Sequence, residues 1–211
     1  MTMPPAHKAG TNSGEELIHK QLRKAFKMIG QQQTVWQEAL ESSMSLVKAL
    51  ANHAEQLQCC RLSRKDSCLD VFQQFPDLQD RLEFKLQGSM EVILARLNSH
   101  LLTMEEVCRK HTQHRTYSLN SYHNHYREVG VAKMSARSST WPSIADMLQW
   151  LADVDILYRR LYAEKRWLYD TITYDNLEDL SSLVSRWQKN DSDLTVVKNI
   201  LAHVTFFMED G

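Results

Sequence analysis

The sequence is poor in the residues that break helices or build tight backbone loops. Its 211 residues include six glycines and four prolines, and no Gly-Lys-Ser or Gly-Lys-Thr occurs. A phosphate-binding loop needs closely spaced glycines, whose backbone N–H groups cradle the phosphates. The scattered glycines therefore exclude a nucleotide hydrolase of this kind. The scarcity of helix breakers, together with long periodic runs of apolar residues, predicts an all-α fold.

Catalytic and metal-binding motifs are lacking as well. The sequence contains no His-Glu-x-x-His, no nucleophile elbow and no Cys-x-x-Cys. Its four cysteines, at 59, 60, 68 and 108, follow no secretory disulfide framework, and the N-terminus has no apolar signal segment. We therefore expect an intracellular soluble protein with no catalytic residue, no cofactor and no metal ion.

An excess of charge of either sign is also missing. Lys and Arg number 25 against 26 Asp and Glu, which gives a formal net charge of −1. A nearly neutral chain has no general attraction to nucleic acid or to an anionic membrane. No apolar run reaches membrane-spanning length either. Any contact with RNA must then depend on local basic clusters.

The sequence does contain helical periodicity over most of its length. Residues 1–13 are small and polar and are expected to form a disordered tail. Residues 14–128 predict a long antiparallel helical hairpin that resembles a coiled coil. Residues 129–142 are rich in serine and lack a period, which predicts a linker. Residues 143–211 predict a small C-terminal three-helix bundle.

The first helix of the hairpin carries a heptad seam, which Gln33 and Ser43 interrupt. Its apolar residues recur at alternating steps of three and four, the pattern that buries one helix against another. Two alternatives stay open: the seam packs inside the bundle of its own chain, or it joins a helix of another protein. The candidate partner-binding residues on this seam are Trp36, Leu40, Val47, Leu50 and Leu57.

The stretch 143–172 predicts the helix around which the rest of the chain is organised. Ser143 and Asp146 have the spacing of a capping box, which begins a helix. The segment that follows is dense in tyrosine and arginine, two residue types that anchor protein interfaces. The alternative is that these tyrosines lie in the core while the bases face solvent. The candidate partner-binding residues are Tyr158, Arg159, Tyr162 and Arg166.

The segment 108–126 has four histidines and three tyrosines. A structural metal ion is one hypothesis, since Cys108 and His111 lie one helical turn apart. No spacing in the segment matches an established zinc pattern, so a mixed polar helix face is the favoured interpretation. The bases that could contact a phosphate backbone are Arg109, Lys110 and Arg115.

Several segments together resemble a known family. The resemblance extends over nearly the whole chain from about residue 31 onward, and the segments belong to folding and interface regions. They are SIADMLQWLADVDILYRRLYAEKRWLYDTI at 143–172, LAHVTFFMED at 201–210, WQEAL at 36–40, AEQLQ at 54–58 and FPDLQDRL at 75–82. On these motifs the chain resembles the AIRIM family of ribosome maturation factors.

This resemblance implies a non-catalytic adaptor subunit of an AAA+ ATPase complex. The implied partners are two spermatogenesis-associated AAA+ ATPases, relatives of the fungal Afg/Drg enzyme, and a cyclin-dependent-kinase-interacting protein. The last of these is expected to form a heterodimer with the chain, with the seam of the first helix as the predicted contact.

The resemblance also implies where such an assembly acts. It would release and recycle assembly factors during cytoplasmic 60S ribosomal subunit maturation, and it would act in protein turnover at the replisome. Both cytoplasmic and nuclear localisation are therefore expected, with contact to the pre-60S particle only indirect. The alternative function is a helical RNA-binding module that acts directly on pre-ribosomal RNA, which the local basic clusters favour and the net charge opposes.

Overall fold

The computed structural model describes residues 13–63, 75, 77–138, 141–189 and 191–209, with only the backbone at 191. These residues form helices and no strand, so the predicted all-α fold is confirmed. None of the described helices combines the length and the apolar character that a membrane span requires. The helices are α1 (Gly14–Ser63), α2 (Leu78–Ser135), α3 (Ile144–Asp170), α4 (Glu178–Gln188), a 3₁₀ turn (Asp191–Leu194), α5 (Thr195–His203) and α6 (Thr205–Glu209).

The chain forms two compact units. Of the described residues, unit 1 contains those up to Gly30, those within His111–Asp155 and those from Lys198 onward. Unit 2 contains those within Gln31–Lys110 and Ile156–Val197. Each unit takes residues from both domains that the sequence predicts, because the three long helices contribute to both units.

The two long helices α1 and α2 form the predicted antiparallel hairpin. In unit 2, Arg61 near the end of α1 donates from Nε to Glu83 in the early part of α2, over 2.8 Å. In unit 1, the backbone N–H of Gly14 at the start of α1 donates to Glu128 late in α2, over 3.1 Å. The start of each helix therefore packs beside the end of the other.

Helix α2 continues into the predicted linker. It extends to Ser135, and Val129 is buried. The backbone departs from helical geometry at Gly130, which has φ 67° and ψ 165°. Only glycine adopts this region readily, because a Cβ atom would clash with the backbone. The irregular connection is therefore shorter than the sequence predicts, and the helix before it is kinked.

The core of unit 2 forms around the seam of α1. All five candidate seam residues, Trp36, Leu40, Val47, Leu50 and Leu57, are buried by the chain itself. Trp36 meets Tyr158 of α3 edge to face, with ring centroids 5.0 Å apart. This geometry is one of the favourable arrangements of aromatic pairs. The first of the two alternatives for the seam, packing inside its own bundle, describes this structure.

Ser43, one of the two polar residues that interrupt the seam, holds α4 in place. The fully buried Trp187 of α4 donates from Nε1 to Ser43 Oγ over 3.0 Å, and Ser43 Oγ donates to the Leu40 carbonyl oxygen over 2.8 Å. Lys165 of α3 donates to the Trp187 carbonyl oxygen over 2.7 Å. A buried indole N–H without an acceptor lowers the stability of the fold. Ser43 supplies this acceptor, which an apolar residue at the same seam position would lack.

In unit 1, α6 packs against the first three turns of α1. Arg23 donates from Nε to the Phe207 carbonyl oxygen over 2.9 Å, and its guanidinium lies 4.8 Å from the centroid of the Phe207 ring. Helix α3 begins with the predicted capping box: the Asp146 N–H donates to Ser143 Oγ over 3.1 Å, and the Ser143 N–H donates to the Asp146 carboxylate over 3.3 Å. Two of the backbone donors at this helix end are therefore satisfied.

Candidate protein-interaction surface

The structure separates the candidate residues of α3 into core and surface. Tyr158 is fully buried in unit 2, and this burial raises the pKa of its hydroxyl. Arg159 is exposed, whereas Tyr162 and Arg166 are half-buried. For Tyr158, the alternative of a core tyrosine therefore describes the structure, and the accessible part of the segment lies on the other side of the helix.

The seam candidates of α1 are likewise covered. Trp36, Leu40, Val47, Leu50 and Leu57 are at most 6% exposed. A helix of another protein could reach these side chains only after helices of this chain had moved away. The partner-binding role of the seam stays a prediction, and it now requires unit 2 to open.

Arg166 is engaged by its own chain. It donates to Asn98 Oδ1 on α2 over 3.1 Å and pairs with Asp170 at 2.9 Å, and the hydrogen bond to Asp170 raises the pKa of the guanidinium. Its guanidinium also lies 5.3 Å from the centroid of the Tyr169 ring. Beside it, burial raises the pKa of Tyr162. These contacts hold the Arg166 side chain against α2, so it forms the edge of a surface rather than its centre.

The outward face of α3 has large apolar residues that are mostly exposed in the described structure. Ile156 is 61% exposed and Trp167 is 59% exposed. With the exposed Ala163 they lie on one side of the helix, since steps of seven and four bring residues to nearly the same direction. Arg159 and Arg160 lie on either side of this row. We call Ile156, Ala163 and Trp167 the outer row.

Trp167 is also supported from α4. The guanidinium of Arg186 lies 5.3 Å from the centroid of its ring. A cavity of about 210 Å³ opens beside it, with Ile172 and Leu183 among its lining residues. Tryptophan and arginine are the residue types that most often dominate binding energy at protein interfaces. A tryptophan held on a helix and stacked by an arginine loses little freedom on binding, which favours a role as an anchor.

The histidine-rich segment lies within α2 and contributes a buried polar network to unit 1. Asp155 of α3, fully buried, accepts from Thr112 Oγ1 over 2.6 Å and from Arg115 over 2.9 Å. Burial lowers the pKa of the neighbouring His111 to about 4, against the opposing effect of the Asp155 charge. Among the residues that the structure describes, no three His, Cys, Asp or Glu side chains are placed to hold a metal ion.

Two of the bases that the sequence offers for phosphate contact are thus held by carboxylates. Arg115 pairs with Asp155, as described, and Arg109 pairs with Glu106 of its own helix at 2.6 Å. A base that already has a carboxylate partner gains less from a phosphate, because the existing pair must first be broken. Arg109 and Arg115 are therefore weaker candidates for RNA contact than the composition of the segment suggests.

Comparison with known proteins identifies the family. The profile of a family described as "Ribosome biogenesis protein C1orf109-like" matches residues 16–206. The chain belongs to this C1orf109-like family. The matched residues include the hairpin and the whole outer row, so the family assignment rests on the part of the chain that carries the candidate surface. The resemblance to ribosome maturation factors drawn from the sequence is confirmed.

Individual relatives are similar over nearly their whole length. The chain is 31% identical to the AFG2-interacting ribosome maturation factor of Homo sapiens over 195 residues, which cover 92% of this chain and 96% of that protein. The protein of the same name from Mus musculus is 31% identical over 196 residues, covering 92% and 90%. The one from Xenopus tropicalis is 34% identical over 195 residues, covering 90% and 94%.

Proposed function

We propose that the chain is a non-catalytic adaptor in ribosome maturation that binds an AFG2-type AAA+ ATPase through the outer row of α3. Relatives of similar length are named for an interaction with AFG2, and the family is one of ribosome biogenesis. The observation that carries the proposal is the exposure of Ile156 and Trp167 on a helix between two arginines.

The composition of the outer row favours a protein as its partner. A large exposed indole and an exposed isoleucine gain most from an apolar pocket that excludes water. Arg159 at the edge would face carboxylates of the partner, whereas Arg160 already pairs with Asp193 of this chain. Such edge charges steer association more than they add affinity. The complementary surface is therefore an apolar cleft with an acidic rim. The lack of catalytic motifs in the sequence supports an adaptor rather than an enzyme.

The finer assignment follows the resemblance to the family. We infer that the ATPases are the spermatogenesis-associated relatives of Afg/Drg and that the complex acts in 60S maturation, where it releases and recycles assembly factors. Action in replisome protein turnover, and hence both cytoplasmic and nuclear localisation, belongs to the same proposal. A heterodimer with the cyclin-dependent-kinase-interacting protein would use the seam of α1 only if unit 2 opened, so we place the ATPase contact on the accessible outer row.

We expect Trp167→Ala to weaken binding to the purified ATPase by about 30-fold or more. Anchor residues at interfaces contribute about 2 kcal/mol or more to binding, and about 1.4 kcal/mol corresponds to a factor of ten in the dissociation constant. Surface plasmon resonance with the immobilised ATPase measures the change. The thermal midpoint of the free protein should stay close to that of the wild type, because Trp167 is mostly exposed.

Phe84→Ala is the matched control, since Phe84 is an aromatic residue of unit 2 that is 79% exposed and lies on α2. It should bind the ATPase as the wild type does. Equal binding by both variants would exclude the outer row as the interface. Failure of the wild-type protein to bind any ATPase of this type would refute the adaptor proposal itself.

A further inference from the structure

A polar groove runs between α1 and α2 within unit 1. Its volume is about 580 Å³, within the range of about 300–1,000 Å³ that is common for ligand sites. Lys20 and Lys24 form one wall, and Tyr117, Asn120 and Asn124 form the other. Of the described residues that line the groove, none is acidic. The groove is therefore suited to a polar ligand that carries negative charge.

The wall on α1 is a row of lysines. Lys20 and Lys24 lie one turn apart, and Lys27 continues the same face of the helix. All three are exposed, and within the described part of the chain none of them is placed in a salt bridge. Three ammonium groups at steps of four and three along a helix form a line of positive charge. Such a line matches a chain of phosphates better than a single compact anion.

The wall on α2 offers an aromatic ring between hydrogen-bonding groups. Tyr117 is half-exposed, and Gln113 donates from Nε2 to its hydroxyl oxygen over 2.8 Å, which fixes the ring. Asn120 and Asn124 follow on the same face. An asparagine side chain both donates and accepts, so it can pair with the edge of a nucleobase. The exposed Tyr117 ring beside these asparagines can stack on the face of a nucleobase.

The floor of the groove contains an unused donor. The Nε2 atom of Gln21 is shielded from solvent and has no hydrogen-bond partner among the described residues. Buried polar groups are almost always paired, so this donor gains a partner once the Gln21 side chain turns toward the groove and meets an acceptor oxygen of a ligand. This observation is independent of the charge of the lysine row.

We propose that this groove binds single-stranded RNA. The phosphates lie along Lys20, Lys24 and Lys27, a base stacks on Tyr117, and the edges of bases meet the asparagines. Double-stranded RNA keeps its bases paired and stacked inside the helix, so it could not use the ring. An acidic peptide would use the lysines, but its Asp and Glu side chains give the Tyr117 ring no aromatic base to stack on. The groove shares no residue with the outer row. A test of RNA binding at the groove is therefore independent of the adaptor proposal.

The lysine wall is tested by fluorescence anisotropy of a short labelled RNA of mixed sequence with the full chain across a salt series. Lys20→Gln combined with Lys24→Gln should weaken binding about tenfold at low salt. It should also reduce the slope of log affinity against log salt by about 1.4, since each contact with a single strand contributes about 0.7. Lys48→Gln combined with Lys85→Gln changes the net charge equally at exposed positions of unit 2 and should leave binding unchanged.

Substitutions of Tyr117 distinguish RNA from an acidic peptide as the ligand of the groove. Tyr117→Leu should weaken RNA binding about tenfold while the salt slope stays that of the wild type, because stacking involves no counterion. Tyr117→Phe keeps the ring and should bind as the wild type does. If Tyr117→Leu also binds normally while the lysine variant fails, the groove is an anion site suited to acidic peptides and the RNA proposal is overturned. No RNA binding by the wild-type protein overturns it as well.

Discussion

Replacing Trp187 with alanine is expected to lower the free energy of unfolding by about 3–5 kcal/mol, the usual cost of removing a buried aromatic side chain. Trp187 is fully buried between α1 and α3, where its Nε1 donates to Ser43 and its ring lies under the Lys165 ammonium at 5.7 Å. The substitution opens a cavity and removes both contacts. Chemical denaturation followed by circular dichroism measures the change.

The same substitution at an exposed position is the control for this experiment. Trp167→Ala removes an equal volume from α3, but that side chain is mostly in solvent, so the loss of stability should stay below about 1 kcal/mol. Ser43→Ala should cost about 1–3 kcal/mol, because it leaves the indole N–H buried without an acceptor. Equal losses at 167 and 187 would contradict the placement of α4 against the seam.

Lowering the pH is expected to destabilise the fold through His111. Burial lowers its pKa from 6.5 to about 4 in the folded chain. Between these values the unfolded chain binds more protons, so stability is fully present above about pH 6.5 and falls as the pH drops towards 4. One pKa unit corresponds to about 1.4 kcal/mol, so the loss approaches about 3 kcal/mol. Urea denaturation at a series of pH values gives the profile.

His111→Gln should flatten this profile, because glutamine takes up no proton. Burial also lowers the pKa of His19 and of His114, so a smaller dependence of the same sign should remain. His123→Gln changes an exposed histidine of the same helix and should reproduce the wild-type profile. A His111→Gln protein whose stability falls with pH as steeply as that of the wild type would show that the loss has another source.

Much of the helical fold could be predicted from sequence, because the spacing of apolar residues decides which face of a helix is buried. Trp36, Leu40 and Val47 are buried as their heptad positions require. The spacing does not say what covers that face. The cover comes from Tyr158 and Trp187, more than a hundred residues away, and local periodicity contains no information about such distant pairs.

The candidate surface was harder to predict for a related reason. Density of tyrosine and arginine selected Tyr158, whereas direction around the helix decides exposure, and Tyr158 faces Trp36 in the core of unit 2. Trp167 and Ile156 lie on the opposite side of the helix and are mostly exposed. Their position on the face opposite the buried residues was the available signal. The groove of unit 1 has walls at Lys20 and Asn120, so it exists only once the hairpin has formed.

The hydrogen bond between Ser43 and Trp187 joins two positions that are 144 residues apart in the sequence. A substitution at either position therefore changes which residues are tolerated at the other. An apolar residue at 43 suits the seam only when position 187 has lost its indole, because otherwise a buried N–H has no acceptor. Among relatives, serine or threonine at 43 should therefore covary with tryptophan at 187. A polar residue within the heptad pattern then indicates that another helix of the chain docks at that position.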